Sequence, residues 1–495
     1  MLCHARGAYA QLYDKTWVTG WGGFWNYDSI LGGFSNFYVT IEEGSSPNFR
    51  VDSLGISFDR FGTTMSDGAG DSVLFYTNGV KFWNGRHQLM QNGDSLGWGW
   101  YLKDYDPDAY TLGVRAPKTG VCLPTDSSHI FYYFHVPIDS VNGGIYMVPR
   151  KMAVARINVT QNELTYKDST VFEDILYSYI SATKVANNKG WWIATPVNQA
   201  KCLYLIQIDS TSHISYQKIC DNNFQVYSPQ SLVALAFTND GSKLIISGAD
   251  YDYAGMEIMN FDRCTGELTL IEKFDIPMLS DSDWIPWTIV SSPNSRFIYA
   301  MCSAVVLQFD LWAEDIKGSM NIVAYFDTTP APQVSMDLFQ AQLAIDGKIY
   351  INGGSTVNAY RVIENPDELG TACNVTPNLI MPAYAWFPSY PNYRLGSMNC
   401  DSGVGMLQID SAHIRAYPNP VASQLWVEYD GIRWEISQSI TLGIHDALGR
   451  EVYSKKLPMY SAIHNVDVHA WSAGMYIFSL YAGEKEIGNG KFVKE

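Results

Sequence analysis

Asn239-Asp240-Gly241-Ser242, running straight into Lys243-Leu244-Ile245-Ile246-Ser247-Gly248, is a polar hairpin turn followed by an apolar strand, and the chain repeats it. Related turns stand at Asp67-Gly68, Thr125-Asp126-Ser127, Asn187-Asn188-Lys189-Gly190, Pro293-Asn294-Ser295 and Asp346-Gly347, about 52 to 62 residues apart. Asn, Asp and Gly tolerate the backbone angles that a tight antiparallel turn needs. Strong strands follow these turns, as in Trp191-Trp192-Ile193-Ala194, Arg296-Phe297-Ile298-Tyr299-Ala300-Met301 and Lys348-Ile349-Tyr350-Ile351-Asn352-Gly353. A third strand then ends on an apolar and a polar residue (Ile258-Met259-Asn260-Phe261-Asp262, Val306-Leu307-Gln308-Phe309-Asp310, Leu205-Ile206-Gln207-Ile208-Asp209), and a fourth comes after a tight turn. Four short antiparallel strands at a fixed period near 50 residues are the signature of a propeller blade. Residues 11–415 hold about 7.6 such periods. The expectation is an all-β chain with a propeller over residues 11–410. It has about seven four-stranded blades, one of them completed by strands from both ends, and six is the alternative. An array of separate sandwiches is disfavoured because no linkers divide the units.

Composition agrees. Of 495 residues, 47% are hydrophobic and 14% aromatic, while 17% are charged against the roughly 25% usual for soluble domains. That excludes a disordered chain, and no run of about 18 apolar residues offers a transmembrane segment. A balance of 33 basic and 50 acidic residues gives a net charge of −17, which excludes a general nucleic-acid binder.

Both ends carry export signals. Ala8-Tyr9-Ala10 before Gln11 has the small-x-small pattern of a signal-peptidase site, without the apolar stretch that normally precedes it, so residues 1–10 are read as the remnant of a signal peptide. From residue 411 the composition shifts. Ala416-Tyr417-Pro418-Asn419-Pro420 opens a segment of short strands and glycine turns, with Asp446-Ala447-Leu448-Gly449-Arg450, Gly474-Met475-Tyr476-Ile477-Phe478 and Gly490-Lys491-Phe492-Val493-Lys494 in order. Several strands in about 80 residues imply a small Ig-like β-sandwich. This segment, residues 411–495, resembles the C-terminal sorting domain of Bacteroidetes proteins exported by the type IX secretion system. The resemblance makes Pro418, Asn419, Pro420, Gly449, Arg450, Gly474, Tyr476 and Lys491 the sorting motif. It implies the type IX secretion machinery as partner, passage to the cell surface, removal of the tail and anchoring of the remainder to lipopolysaccharide. The body also resembles secreted Bacteroidetes propeller proteins, through Phe75-Tyr76-Thr77-Asn78-Gly79-Val80-Lys81-Phe82-Trp83-Asn84, Phe261-Asp262-Arg263-Cys264-Thr265-Gly266 and Tyr390-Pro391-Asn392-Tyr393-Arg394-Leu395-Gly396. That implies a surface or gliding-associated scaffold with no defined activity, and these motifs read as structural.

Several catalytic signatures are missing: no HExxH, GxxxxGK or CxxC pair occurs. His129 and His135 share parity on one strand, but six residues at about 3.3 Å each separate them by roughly 20 Å, too far to share a metal ion. Calcium is the one cofactor the sequence raises. Asp104-Tyr105-Asp106-Pro107-Asp108 has the alternating acids of a calcium loop, yet Ala109 and Arg115 occupy the positions that need Gly and Glu. Eight cysteines suit an oxidising compartment. Cys202 and Cys220 flank a hairpin centred near Thr211 and fall opposite one another, as a cross-strand disulfide requires. Cys373 and Cys400 bracket the last propeller segment and are candidates to fasten its closure.

Propeller topology adds one inference about binding. If the repeated turns join first and second strands, the connections from second to third strands and those between blades share the opposite face. On that face lie Trp98, Trp100, Tyr101, Asp250, Asp252, Asp283, Trp284 and Trp287, with Tyr384-Ala385-Trp386-Phe387 as a further candidate. Aromatic rings beside carboxylates suit stacking on sugar faces or grasping a basic peptide, although wedging between blades would use the same residues. The preferred expectation is a non-enzymatic surface propeller that binds a glycan, a peptide or a surface protein. The alternative is a secreted hydrolase or lyase acting on polysaccharide through carboxylates of the central channel.

Overall fold

A computed structural model describes residues 11–20, 36–52, 61–114, 118–141, 146–224, 232–250, 253–276, 286–302, 305–325, 338–353, 359–380, 387–398, 413–430, 440–457, 463–482 and 485–495, with residues 54, 56–58, 116 and 400. The chain forms two compact units, residues 1–201 with 222–399, and residues 202–221 with 400–495.

The first unit is built of antiparallel sheets laid down in chain order. The clearest have four strands: Gly120–Pro124, Ile130–His135, Lys151–Asn158 and Glu163–Glu173; Leu232–Phe237, Lys243–Asp250, Tyr253–Phe261 and Leu268–Asp275; Pro286–Ser291, Phe297–Cys302, Val305–Asp310 and Asn321–Tyr325; Leu338–Leu343, Ile349–Gly353, Ala359–Ile363 and Val375–Ile380. Thr63–Ser66, Val73–Thr77 and Phe82–Asn84 form a shorter sheet, and Ser181–Lys184 pairs with Gly190–Pro196. First strands of neighbouring sheets pack together: Thr63–Ser66 by Gly120–Pro124, Ser181–Lys184 by Leu232–Phe237, then Pro286–Ser291 and Leu338–Leu343. Sheets set radially in this way define a β-propeller.

Burial follows from that arrangement. Phe297–Cys302 and Val305–Asp310 are buried at every position, because blades cover both faces of these middle strands. The outer strand Leu268–Asp275 alternates between exposed and covered residues, as an edge with one wet face does. The repeated turns also hold blade to blade. The Asp240 carboxylate accepts from Thr238 Oγ1 (2.7 Å) and the Ser242 N–H (2.9 Å), while Asn239 Nδ2 donates to Pro293 O of the next blade at 2.8 Å. Gly241 sits at φ +70°, and a Cβ there would lie 2.3 Å from Thr183 Oγ1.

The remaining sheet holds Thr16–Gly20, Asn36–Thr40 and Asn48–Asp52. The Ser66 N–H donates to Tyr13 O at 2.8 Å and the Phe58 N–H to Gly20 O at 3.1 Å. Thr16–Gly20 therefore starts where the inner strand Thr63–Ser66 ends, and it runs opposite to it, as a second strand does. The place inside it is approached from the other end of the chain: Phe387 packs on Trp17 with ring centroids 5.3 Å apart, and the Tyr390 N–H donates to Gln342 Oε1. With this sheet the described residues form seven blades, and residues from the far end of the unit, Phe387 and Tyr390, pack beside it; residues 381–386 lie outside the described residues. Beyond it, residues 390–398 tie the hub together. Tyr393 Oη donates to Cys122 O (2.8 Å), Asn392 Nδ2 to Asn239 O (2.8 Å), Arg394 pairs with Asp14, and the Met398 N–H reaches Ala186 O (2.8 Å). Arg263, almost fully buried, donates to the carbonyls of Lys184, Val185 and Gly396.

In the second unit, His413–Tyr417, Gln424–Asp430 and Ile463–Asp467 form one sheet, and Glu451–Leu457, Ile440–Asp446, Gly474–Ala482 and Lys485–Lys494 another. Leu425, Val427, Leu442, Ile444, Val466, Phe478, Leu480 and Phe492 share one apolar core, giving a small β-sandwich. The hairpin Cys202–Asp209 and Ile214–Cys220 carries the expected disulfide between directly opposed residues. The second expected bridge is corrected. Cys373 is a buried free thiol packed among Phe297, Tyr299, Ile349 and Ile363, while Cys264 and Cys400 are each disulfide-bonded.

Candidate functional site

Residues 94–101 connect the second blade to the third, Pro137–Asp139 follow the second strand of the third blade, and Asp174-Ile175 follow its fourth. Topology puts all three on one face of the propeller, the face expected to bind. There they enclose a cleft of about 610 Å³ lined by Trp98, Asp139, Arg150, Lys151, Asp168 and Glu173, among others. Four carboxylates (Asp139, Asp168, Glu173, Asp174) and two cations (Arg150, Lys151) meet there beside one large aromatic ring.

Asp168 organises the cleft. It lies on the eleven-residue strand Glu163–Glu173 at φ +53°, in a stretch where that strand falls out of register with its neighbour. Its two oxygens accept the Gly97 N–H at 3.0 and 3.1 Å, and Oδ1 stands 3.1 Å from Nε2 of the buried His135. Burial alone would raise the Asp168 pKa, but His135, the Gly97 N–H and Lys151 outweigh it and hold the carboxyl below its ordinary value. Gly97 needs its residue type: φ is +64° and a Cβ would press on Pro137 at 3.3 Å. The next residue, Trp98, is thus held at the rim, 55% exposed, its ring braced edge-on by Tyr110 with centroids 5.8 Å apart.

The sequence candidates divide. Trp98 lines the cleft. Trp100 is half-buried against Tyr105 (5.0 Å), and Tyr101 belongs to a core cluster with Val80, Leu102 and Ala109. The acidic run is a short helical stretch: Tyr101–Tyr105 winds into a π-turn, Asp106 accepts from Tyr101 Oη at 3.1 Å, and Ala109–Leu112 follows as one α-turn. Among the described residues no three metal-ligating side chains cluster. Asp250 ends its strand opposite Tyr253 on the same face. Trp287 is half-buried, and its carbonyl accepts from Tyr179 Oη. Asp252, Asp283 and Trp284 lie outside the described residues, as do residues 384–386, while Phe387 is core. His129 is exposed just ahead of the strand that carries His135. Asp168, Arg150, Lys151, Glu173 and Asp174 were missed. The available signal was the inserted hairpin Ile138–Val141 and Tyr146–Pro149 between second and third strands, next to an unusually long fourth strand.

The residues expected to form the sorting motif lie within the sandwich of the second unit. Pro418 and Pro420 follow cis peptide bonds, and Asn419 between them accepts the Val493 N–H at 2.9 Å and donates to Lys491 O at 3.4 Å. Gly449, at φ +79°, closes a turn in which Asp446 accepts from Arg450 Nε at 2.7 Å. Arg450, Gly474 and Tyr476 line a cleft of about 540 Å³, and the Tyr476 ring stacks on Phe492 at 5.4 Å.

Fold and motif define a β-propeller joined to a secretion-type sandwich. Residues 415–495 match the family described as the secretion system C-terminal sorting domain. The chain is a secreted propeller protein with a type IX sorting tail, marked for export and attachment at the cell surface. No helix among the described residues is long and apolar enough to cross a membrane. A comparison with curated proteins finds no similar sequence. Among solved structures, the chain is similar to a functionally unknown protein from Desulfotomaculum acetoxidans (12% identity, 72% of this chain and 96% of that one, TM-score 0.36). It is likewise similar to an oligogalacturonate lyase in complex with manganese (11%, 70% and 84%, TM-score 0.38) and to the periplasmic gluconolactonase of Pseudomonas aeruginosa (11%, 91% and 99%, TM-score 0.37). At these values the fold assignment rests on the strand pairing above.

Proposed function

We propose that the protein is a non-enzymatic surface-binding propeller that takes a carbohydrate in the cleft at Trp98. The observation that carries this reading is the exposed indole, fixed by the Asp168–Gly97 contact at the rim of a cleft rich in carboxylates and flanked by two cations. An immobilised aromatic face stacks on the apolar face of a sugar ring, and carboxylate and guanidinium groups bind its hydroxyls. In this reading residues 11–410 are the portion displayed at the surface, and residues 411–495 are the tail, removed after export, with lipopolysaccharide as the anchor. A peptide or envelope protein as ligand is the second form of the same binding role.

The hydrolase alternative asks for carboxylates in the axial cavity. Among the described residues lining that cavity the carboxylate is Asp14, which is 3% exposed and paired with Arg394, an arrangement suited to structure rather than acid–base work.

The test is a glycan array probed with the full chain, followed by titration of each hit. Trp98→Ala is expected to weaken binding at least tenfold, the order expected for loss of an aromatic platform, with Trp287→Ala close to wild type. Unchanged affinity of Trp98→Ala for every ligand would sink the proposal, and polysaccharide turnover would replace it with the enzymatic reading.

A further inference from the structure

The propeller hub holds a second, smaller cavity of about 80 Å³, lined by inner-strand residues of successive blades and by Tyr390, Asn392 and Arg394. A single water needs only about 10–15 Å³, so the space takes several waters or a small solute. Lys118 lines it, 8% exposed. No hydrogen bond or ion pair holds its ammonium among the described residues; what it meets is the Tyr179 ring, 5.9 Å away.

The other charges do not neutralise it. Arg394 and Asp14 line the same cavity and are paired with each other. They also sit at the other end. Lys118 precedes the inner strand Gly120–Pro124, whereas Tyr13, next to Asp14, meets Ser66 at the end of the inner strand Thr63–Ser66. Burial also raises the Asp14 pKa, against the pull of Arg394, so it is no spare anion. Tyr390 and Tyr179, the remaining titratable groups there, are kept neutral by burial. A lone buried ammonium facing a solvent-sized cavity is an unfavourable arrangement unless a counter-charge enters. Desolvation brings the Lys118 pKa down to about 8, still largely protonated at neutral pH.

We propose that the axial cavity is a binding site for a small monovalent anion, such as chloride or a one-carbon carboxylate, held by the Lys118 ammonium. An anion there supplies the missing charge at the protein's hub. Occupancy therefore stabilises the ring, because a ligand that binds only the folded state raises its stability.

The full chain is unfolded thermally at pH 7 in potassium formate, potassium chloride or potassium gluconate of equal concentration, gluconate being too large for the cavity. Formate and chloride are expected to give a saturable rise in Tm of a few degrees over gluconate, and the rise is expected to fade by pH 9.5 as Lys118 loses its proton. Lys118→Met is expected to lose the difference between anions while melting above the wild type in gluconate. The same anion response in Lys118→Met and wild type, or none in the wild type, overturns the proposal. Should Lys118→Met fail to fold, chloride-35 line broadening on the wild type decides: broadening reversed by formate supports the site, and its absence overturns it.

Discussion

At the residue scale, one carboxylate sets the geometry of the candidate site. Asp168 joins the Gly97 N–H and His135, so its charge matters for the loop that presents Trp98. Its folded pKa is depressed. The stability it adds is therefore fully present above the unfolded value near 3.9 and is lost as pH falls through the folded one. Urea unfolding from pH 7 down to pH 2.5 is expected to show this loss, and Asp168→Asn to flatten that part of the curve. At pH 7, Asp168→Ala leaves the Gly97 N–H unpaired, and a cost of about 1–3 kcal/mol is expected. A variant curve that superimposes on the wild type would show that Asp168 carries no such load. Trp98 itself was legible in the sequence as an aromatic between glycines on a connecting segment. Its support was not, because Asp168 is 70 residues away and looks like any polar strand residue.

At the scale of elements, the segment Tyr390–Met398 locks the hub through side chains that reach different blades. Tyr393 is fully buried and donates its one hydroxyl proton to Cys122 O. Tyr393→Phe is expected to cost about 1–2 kcal/mol. Arg263 serves four carbonyls in three separate segments, those of Lys184, Val185, Asp240 and Gly396, so Arg263→Met is expected to cost more, roughly 3 kcal/mol. Equilibrium denaturation in guanidinium chloride ranks the two, and the reverse order would show that the hub does not depend on Arg263. The motifs around Arg263 and Tyr393 stood out in the sequence as landmarks, and a structural role was expected for both. Which carbonyls they satisfy depends on blades brought together only by ring closure. The cysteines make the same point. Cys202 and Cys220 lie symmetrically about one turn, so counting residues finds the bridge. Cys373 and Cys400 are related by no such turn, and counting misassigned them.

At the scale of the whole molecule, export belongs to the tail, and the proposed recognition belongs to the propeller. Deleting residues 416–495 is expected to leave the protein in the periplasm, read by fractionation and surface labelling. Normal surface display of the truncated chain would contradict the sorting role of the motif. The charged cleft at Trp98 and the hub also separate two effects: substitutions at Trp98 are expected to change binding without changing Tm, and substitutions at Tyr393 the reverse.

The sequence by itself determined the all-β class, the period of the blades, the hairpin disulfide and the sorting tail. Each of these rests on order along the chain: turn chemistry, strand alternation and motif spacing are read residue by residue. Only the tertiary structure decided which side chains tie the hub together, that Tyr101 is core while Trp98 is presented, and that Lys118 faces a cavity where no described residue supplies a free counter-charge. Those outcomes depend on which distant segments share a blade edge or an axis, and no local pattern of residues encodes that distance.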